Sequence, residues 1–245
     1  MQQEIHSVGI VGRGAFGGLV ATVLPKHIVV KTAGKSSSSQ EFEAVAKCDV
    51  VVLAVPLGAY TEVLEQLAQH MPVDSLLVDV CSVKSLPAEL INAHLPKHQN
   101  LLLCHPLFGP ETYGNMADTP TMIITKAVGL RADVVARYCS DELGIAITHM
   151  TAEEHDKQMA LVQGLTFFLA RALSKLDITS IESHTPSFRH IQNLVNLDEV
   201  QSQELFDTME VGNPYAKAAR QQLMQHLAET EAMIEHTVDD FLSSP

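Results

Sequence analysis

Seven short runs of Val, Ile and Leu recur along the first 150 residues: SVGIV, HIVVK, DVVVLAV, SLLVDV, NLLLC, TMIIT and AITHM, with segments of helical period between them. Each is apolar throughout instead of alternating apolar and polar, as expected of strands covered by helices on both faces. The pattern predicts an α/β fold with a Rossmann-type, doubly wound, mainly parallel sheet. From Thr151 onward such runs cease. TAEEHDKQMALVQGLTFFLARALSKL opens with a capping-box pattern, Thr151 and Glu154, and the remainder reads as helices. The expected division is therefore a dinucleotide-binding domain over residues 1–150 and an all-helical domain over 151–245.

Composition narrows the function classes. With 245 residues, 46% of them hydrophobic, the chain can bury one large core or two modest ones. The apolar run ending at Val55 stops at Pro56, far short of the roughly 20 residues of a membrane span, and MQQEIHS lacks the features of a signal peptide. A cytoplasmic protein with no membrane partner is expected. A formal charge of -13 argues against nucleic-acid binding, and any anionic ligand must be met by local cations. Cys48, Cys81, Cys104 and Cys139 are irregularly spaced without a CxxC pair, which predicts reduced thiols and no metal site.

The stretch VGIVGRGAFGG supplies the first chemistry. Gly12, Gly14 and Gly17 match GxGxxG between a strand-like run and a helix-compatible one, the context that makes this motif informative. Gly12 permits the tight turn, Gly14 lets the backbone approach a pyrophosphate, and Gly17 allows close packing at the helix start. Arg13, Ala15 and Phe16 complete the loop. An NAD site places a carboxylate about 20 positions on, whereas this chain has Thr32, Lys35 and Ser36 there, groups suited to a 2'-phosphate. NADP is favoured over NAD; a solvated basic turn is the alternative.

Two later runs end in reactive groups. VDVCSVK carries Ser82 and Lys84 just past one strand, and LLLCHPLFGPE carries His105 just past another. Both fall at carboxyl ends of strands, where open α/β sheets bind ligands. Pro106 and Pro110 stiffen the segment after His105, and a neutral imidazole held at fixed distance can take a proton at physiological pH. Lys84 reads equally well as a cation orienting substrate or nicotinamide and as a solvated helix-start lysine.

GRGAFG, DVCSVK, HPLFGPE, AEEHDKQMA with VQGLT, TPSFR and GNPY occur in the order and spacing of prephenate and arogenate dehydrogenases, and the chain resembles that family from about residue 7 to about residue 235. Its short form looks like the plant-type arogenate branch. The resemblance implies a homodimer formed through the helical domain and oxidative decarboxylation of a cyclohexadienol by a nicotinamide cofactor. His105 would accept the proton of the ring hydroxyl. Ser82 would bond both histidine and hydroxyl, and Arg189 of TPSFR would grip a substrate carboxylate, which a planar guanidinium does with two parallel hydrogen bonds. The His155–Asp156 pair reads as architectural, with Asp156 facing its own helix dipole. Leu161, Leu165, Phe168, Leu169 and Ala172 read as a core stripe. One position departs from the family: Phe167 stands where a substrate-facing histidine is usual. Two other readings remain, a β-hydroxyacid dehydrogenase and a nicotinamide-binding regulatory protein without catalysis.

Overall fold

Each of the seven apolar runs forms a strand of one sheet. A computed structural model of the chain describes residues 4–115, 119–178, 180–181 and 183–243, with side chains described as far as 238. The strands are β1 (Ser7–Val11), β2 (Val29–Ala33), β3 (Val50–Leu53), β4 (Leu76–Asp79), β5 (Leu101–Pro106), β6 (Thr121–Val128) and β7 (Ala146–His149). They lie in the order β2-β1-β3-β4-β5-β6-β7, all neighbours parallel except β5 and β6. The mainly parallel Rossmann-type sheet read from the sequence is therefore present. Its antiparallel pair arises because the connection over residues 107–120 carries no helix among its described residues, and a parallel return normally uses one.

Right-handed crossovers set the layers. The chain steps one way from β1 to β2 and the other way from β2 through β3 and β4 to β5, so α1 (Ala15–Val23) lies on one face and α2 (Ser39–Ala46), α3 (Tyr60–His70) and α4 (Ser85–His94) on the other. β3 and β4 are buried along their whole length. β2, however, is exposed at four of its five residues, because it is the sheet edge and has β1 as its sole neighbour. On the face of α1 the nine-residue helix, roughly 13 Å long, does not span the sheet. Val8, Val52, Val78, Leu102, Leu19 and Val135 line an apolar cavity of about 630 Å³ there, α5 (Leu130–Arg137) supplying the last of them.

The chain divides into two units at Asp156–Lys157, against the 150–151 division expected, because α6 (Ala152–Met159) begins within the first unit. Its start is the anticipated capping box: Glu154 N donates to Thr151 Oγ1 at 3.1 Å and Thr151 N to the Glu154 carboxylate at 2.9 Å. A π-helical turn, Ala160–Gly164, leads into α7 (Leu165–Leu173), followed by α8 (Phe188–Val200), α9 (Gln203–Glu210) and α10 (Ala216–Ser243). The expected core stripe of α7 is not the buried one. Leu161 is 55% exposed and Leu165, Phe168 and Leu169 are half-buried, whereas Phe167 and Ala170 are buried. The wide turn inserts extra helical phase that a constant 3.6-residue period does not anticipate.

Candidate active site

The glycine loop has the geometry its sequence demands. Gly12 has φ +124°, open to glycine, and a Cβ there would lie 2.0 Å from the Ala54 carbonyl. A Cβ on Gly17 would meet the Gly12 carbonyl at 2.0 Å, whereas one on Gly14 would project into open space, where a pyrophosphate can approach the backbone. Gly14 caps α1, which carries no acidic residue in its first turn, so free N–H groups and the helix dipole favour an anion. Ala15 is exposed and Phe16 half-buried at the same helix start. These features fit a dinucleotide.

Arg13 joins this loop to β2. Its guanidinium donates to the Thr32 hydroxyl at 3.3 Å, to the Thr32 carbonyl at 3.0 Å and to Glu41 at 3.1 Å, and its stem passes over Gly34. Lys35 and Ser36 are exposed in the turn that follows. Glu41 is bound at the start of α2 by a capping box with Ser38. Backbone and side-chain hydrogen bonds from Ser38, and the bond from Arg13, hold its carboxyl below the usual range.

His105 stands on β5, 4% exposed. The Leu107 N–H just beyond it donates to the Thr121 carbonyl at 2.9 Å, so the segment is fixed by a ladder bond as well as by Pro106. His105 Nδ1 lies 2.9 Å from His155 Nε2, the rings meeting edge to face at 70°, and His155 Nδ1 lies 2.8 Å from Asp156 Oδ1. Asp156 does not serve its own helix dipole as anticipated. Its two oxygens accept the N–H groups of Lys84 and Ser85, each at 2.8 Å, and so close the N-terminus of α4, which has no side-chain cap of its own. Burial raises the Asp156 carboxyl, but bonds from His155, Ser85 and Lys84 outweigh it and leave the group below the ordinary range. Burial, the neighbouring His155 and the Lys84 charge push His105 well below its usual value, against a smaller pull from Asp156. It is neutral at physiological pH, as a base must be.

Lys84 is neither a solvated lysine nor a cation open to a ligand. Fully buried, it is bonded to Asp79 and donates to the Cys104 carbonyl at 2.6 Å, next to His105. Asp79 in turn accepts from the Tyr60 hydroxyl and from Cys81 N at 3.1 Å. Ser82 is half-buried on the turn after β4, and makes no hydrogen bond to His105 among the described residues. Burial drives the thiols up, Cys81 to about 11 and Cys104 to about 12, so neither is a nucleophile.

In the second unit, Arg189 is exposed as the second residue of α8, and makes no ion pair among the described residues. Phe167 is 7% exposed. The sequence reading missed the bond from His155 to His105, the link from Asp156 to α4, and the Tyr60–Asp79–Lys84 cluster. Of these, only the HD dipeptide at a helix start was visible as a signal.

A sheet of this order, with a glycine turn feeding α1 and a buried histidine at a strand end, defines a Rossmann-class nucleotide-binding unit followed by a helical one. Residues 28–128 match the family model described as prephenate dehydrogenase, nucleotide-binding domain. A probable arogenate/prephenate dehydrogenase of Methanocaldococcus jannaschii is 25% identical over 85% of this chain and 48% of its own length. A 4-amino-4-deoxyprephenate dehydrogenase of Streptomyces pristinaespiralis is 30% identical over 78% of this chain and 66% of its own. The chain thus spans between about half and two thirds of these relatives. Prephenate dehydrogenase from Aquifex aeolicus, solved with hydroxyphenyl propionate and NAD+, shares the fold at a TM-score of 0.74, with 19% identity over 99% of this chain and 95% of that one. The chain is thus similar to prephenate and arogenate dehydrogenases, with residues 28–128 matching their nucleotide-binding domain.

Proposed function

We propose that this protein catalyses NAD(P)-dependent oxidative decarboxylation of prephenate or arogenate, in the biosynthesis of tyrosine. The observation that carries the reading is His105: buried, neutral and fixed on a strand end of the sheet whose glycine loop fits a dinucleotide. Its imidazole takes the proton of the ring hydroxyl. The bound nicotinamide supplies the hydride acceptor for the adjacent carbon. As the O–H bond breaks a carbonyl forms; the ring carboxylate then leaves as carbon dioxide, its bonding pair makes the ring aromatic, and His105 returns the proton to the phenolate. Such base catalysis is worth about 10² to 10⁴ in rate. Ser82 contributes a hydroxyl beside this reaction and Arg189 a guanidinium for a substrate carboxylate. Lys84 acts indirectly, by holding the strand end behind His105.

NADP is the favoured cofactor. Arg13, Thr32, Lys35 and Ser36 cluster at the end of β2, and no carboxylate belongs to that strand. A homodimer through the helical unit is supported by α10, which exposes Met224, Leu227, Met233, Ile234 and Val238. Among the described residues no helix is long and apolar enough to cross a membrane; the free thiols suit the cytoplasm, and the acidic charge argues against nucleic acid. The substrate test is initial-rate absorbance of reduced nicotinamide with prephenate, arogenate and 4-amino-4-deoxyprephenate, each with NAD and NADP. Turnover of one, lost in His105→Asn with cofactor affinity kept, is the expected result. Cofactor binding with no turnover of any would favour a regulatory protein, the reading that Phe167 supports.

A further inference from the structure

Behind His105 stand two side chains that the proton transfer itself does not touch. We infer that His155 and Asp156 are positioning residues that lock His105 in one tautomer, with the proton on Nδ1 and the lone pair on Nε2. The inference rests on His105 being the base of the proposed reaction.

Proton counting along the chain carries it. A carboxylate only accepts, and Asp156 already receives two backbone N–H groups of the α4 N-terminus, which keep it ionised and immobile. The 2.8 Å contact from His155 Nδ1 must therefore carry the proton on that nitrogen. With His155 carrying its one proton on Nδ1, the 2.9 Å contact between His155 Nε2 and His105 Nδ1 needs a single further proton, and it comes from His105. Nε2 of His105, which bonds no described residue, is left bare to accept. Free histidine prefers the opposite tautomer, with Nε2 protonated, so an untethered His105 would present a donor to the hydroxyl it has to deprotonate. Once Nε2 gains the substrate proton, the imidazolium still donates from Nδ1 to His155, and the Asp156 charge lies next in line. The charged groups around the ring are Lys84, with Asp79 behind it, and Asp156. All three partners of the chain lie within the first unit.

The experiment is ¹⁵N-imidazole NMR on the full-length chain, with steady-state kinetics beside it, for the wild type, His155→Leu and His155→Gln. Asp156 is left intact because its loss would also uncap α4. Expected are a His105 protonated on Nδ1 in the wild type and a shift toward the Nε2–H form in His155→Leu. His155→Gln, whose amide oxygen can still accept from Nδ1, retains the native tautomer. kcat falls about 100-fold in His155→Leu and about tenfold or less in His155→Gln, with KM for the cofactor unchanged. Wild-type His105 protonated on Nε2, or a tautomer that His155→Leu leaves alone, overturns the inference. So does an equal fall in kcat for both variants that follows their thermal stability. A wild type with the expected tautomer but no turnover of any cyclohexadienyl substrate would sink the dehydrogenase reading while the tautomer lock stood.

Discussion

Lys84 and Asp79 form an ion pair from which solvent is wholly excluded, both side chains being fully buried, and the Tyr60 hydroxyl donates to the second carboxylate oxygen. Removing one partner of such a pair strands a charge in the interior; removing both does not. Lys84→Met is expected to cost about 3–5 kcal/mol of stability, and the double variant Lys84→Met/Asp79→Leu to recover most of it. Urea unfolding at neutral pH reads both. Equal losses in single and double variants would show that the pair is held together for its hydrogen bonds to Cys104 and Cys81 rather than for its charges.

The depressed proton affinity of His105 makes stability depend on pH with a definite sign. Its folded value lies well below 6.5, so between that value and about 6.5 the unfolded chain binds a proton that the native chain refuses. The contribution to stability is complete above pH 6.5 and is lost as the pH falls toward the folded value. His98, lowered mainly by burial, adds a slope of the same sign. Thermal melts from pH 7.5 to 5 are expected to decline in the wild type and less steeply in His105→Asn. Parallel slopes would mean that His105 takes up its proton alike in both states.

Arg13 is bonded to the end of β2 through the Thr32 hydroxyl and carbonyl, and Glu41 holds its guanidinium in place. Arg13→Gln is expected to raise KM for NADP roughly 10- to 100-fold, the worth of a charge-assisted hydrogen bond, while KM for NAD changes by less than about threefold. Initial rates with the two cofactors check this, and an equal effect on both would assign Arg13 to the loop's shape and not to a phosphate.

The strands, the glycine turn and the capping box at Thr151 were legible because each is written within a dozen consecutive residues. Periodicity told which runs would be covered, and failed at β2, where being an edge is a property of sheet order. What was not legible came from distance along the chain. His155 reaches His105 across 50 residues, and Asp156 reaches the N-terminus of α4 across about 70. No local pattern marks such partners. Lys84 reads from DVCSVK as a cation facing ligand or solvent because Tyr60, which completes its buried cluster, lies on another element. The core face of α7 was misjudged for a different reason: a single π turn resets the phase of everything after it.

One irregularity in the sheet limits how this gene can change in length. Pairing of β5 with β6 runs Leu103 to Lys126 and then Cys104 to Ile124, leaving Thr125 as a bulged residue whose hydroxyl donates to the Leu103 carbonyl at 3.3 Å. Loss of that one codon would restore an unbroken ladder with Lys126 still opposite Leu103 and Ile124 still opposite Cys104, so every residue would keep its face. Loss of a second residue from the strand would have no bulge to absorb it, and either Met122 and Ile124 would leave the core or the far end of β6 would turn over. Insertions and deletions can accumulate in the loop that leads into β6; within the strand, the pairing that frames His105 tolerates the loss of one residue and no more.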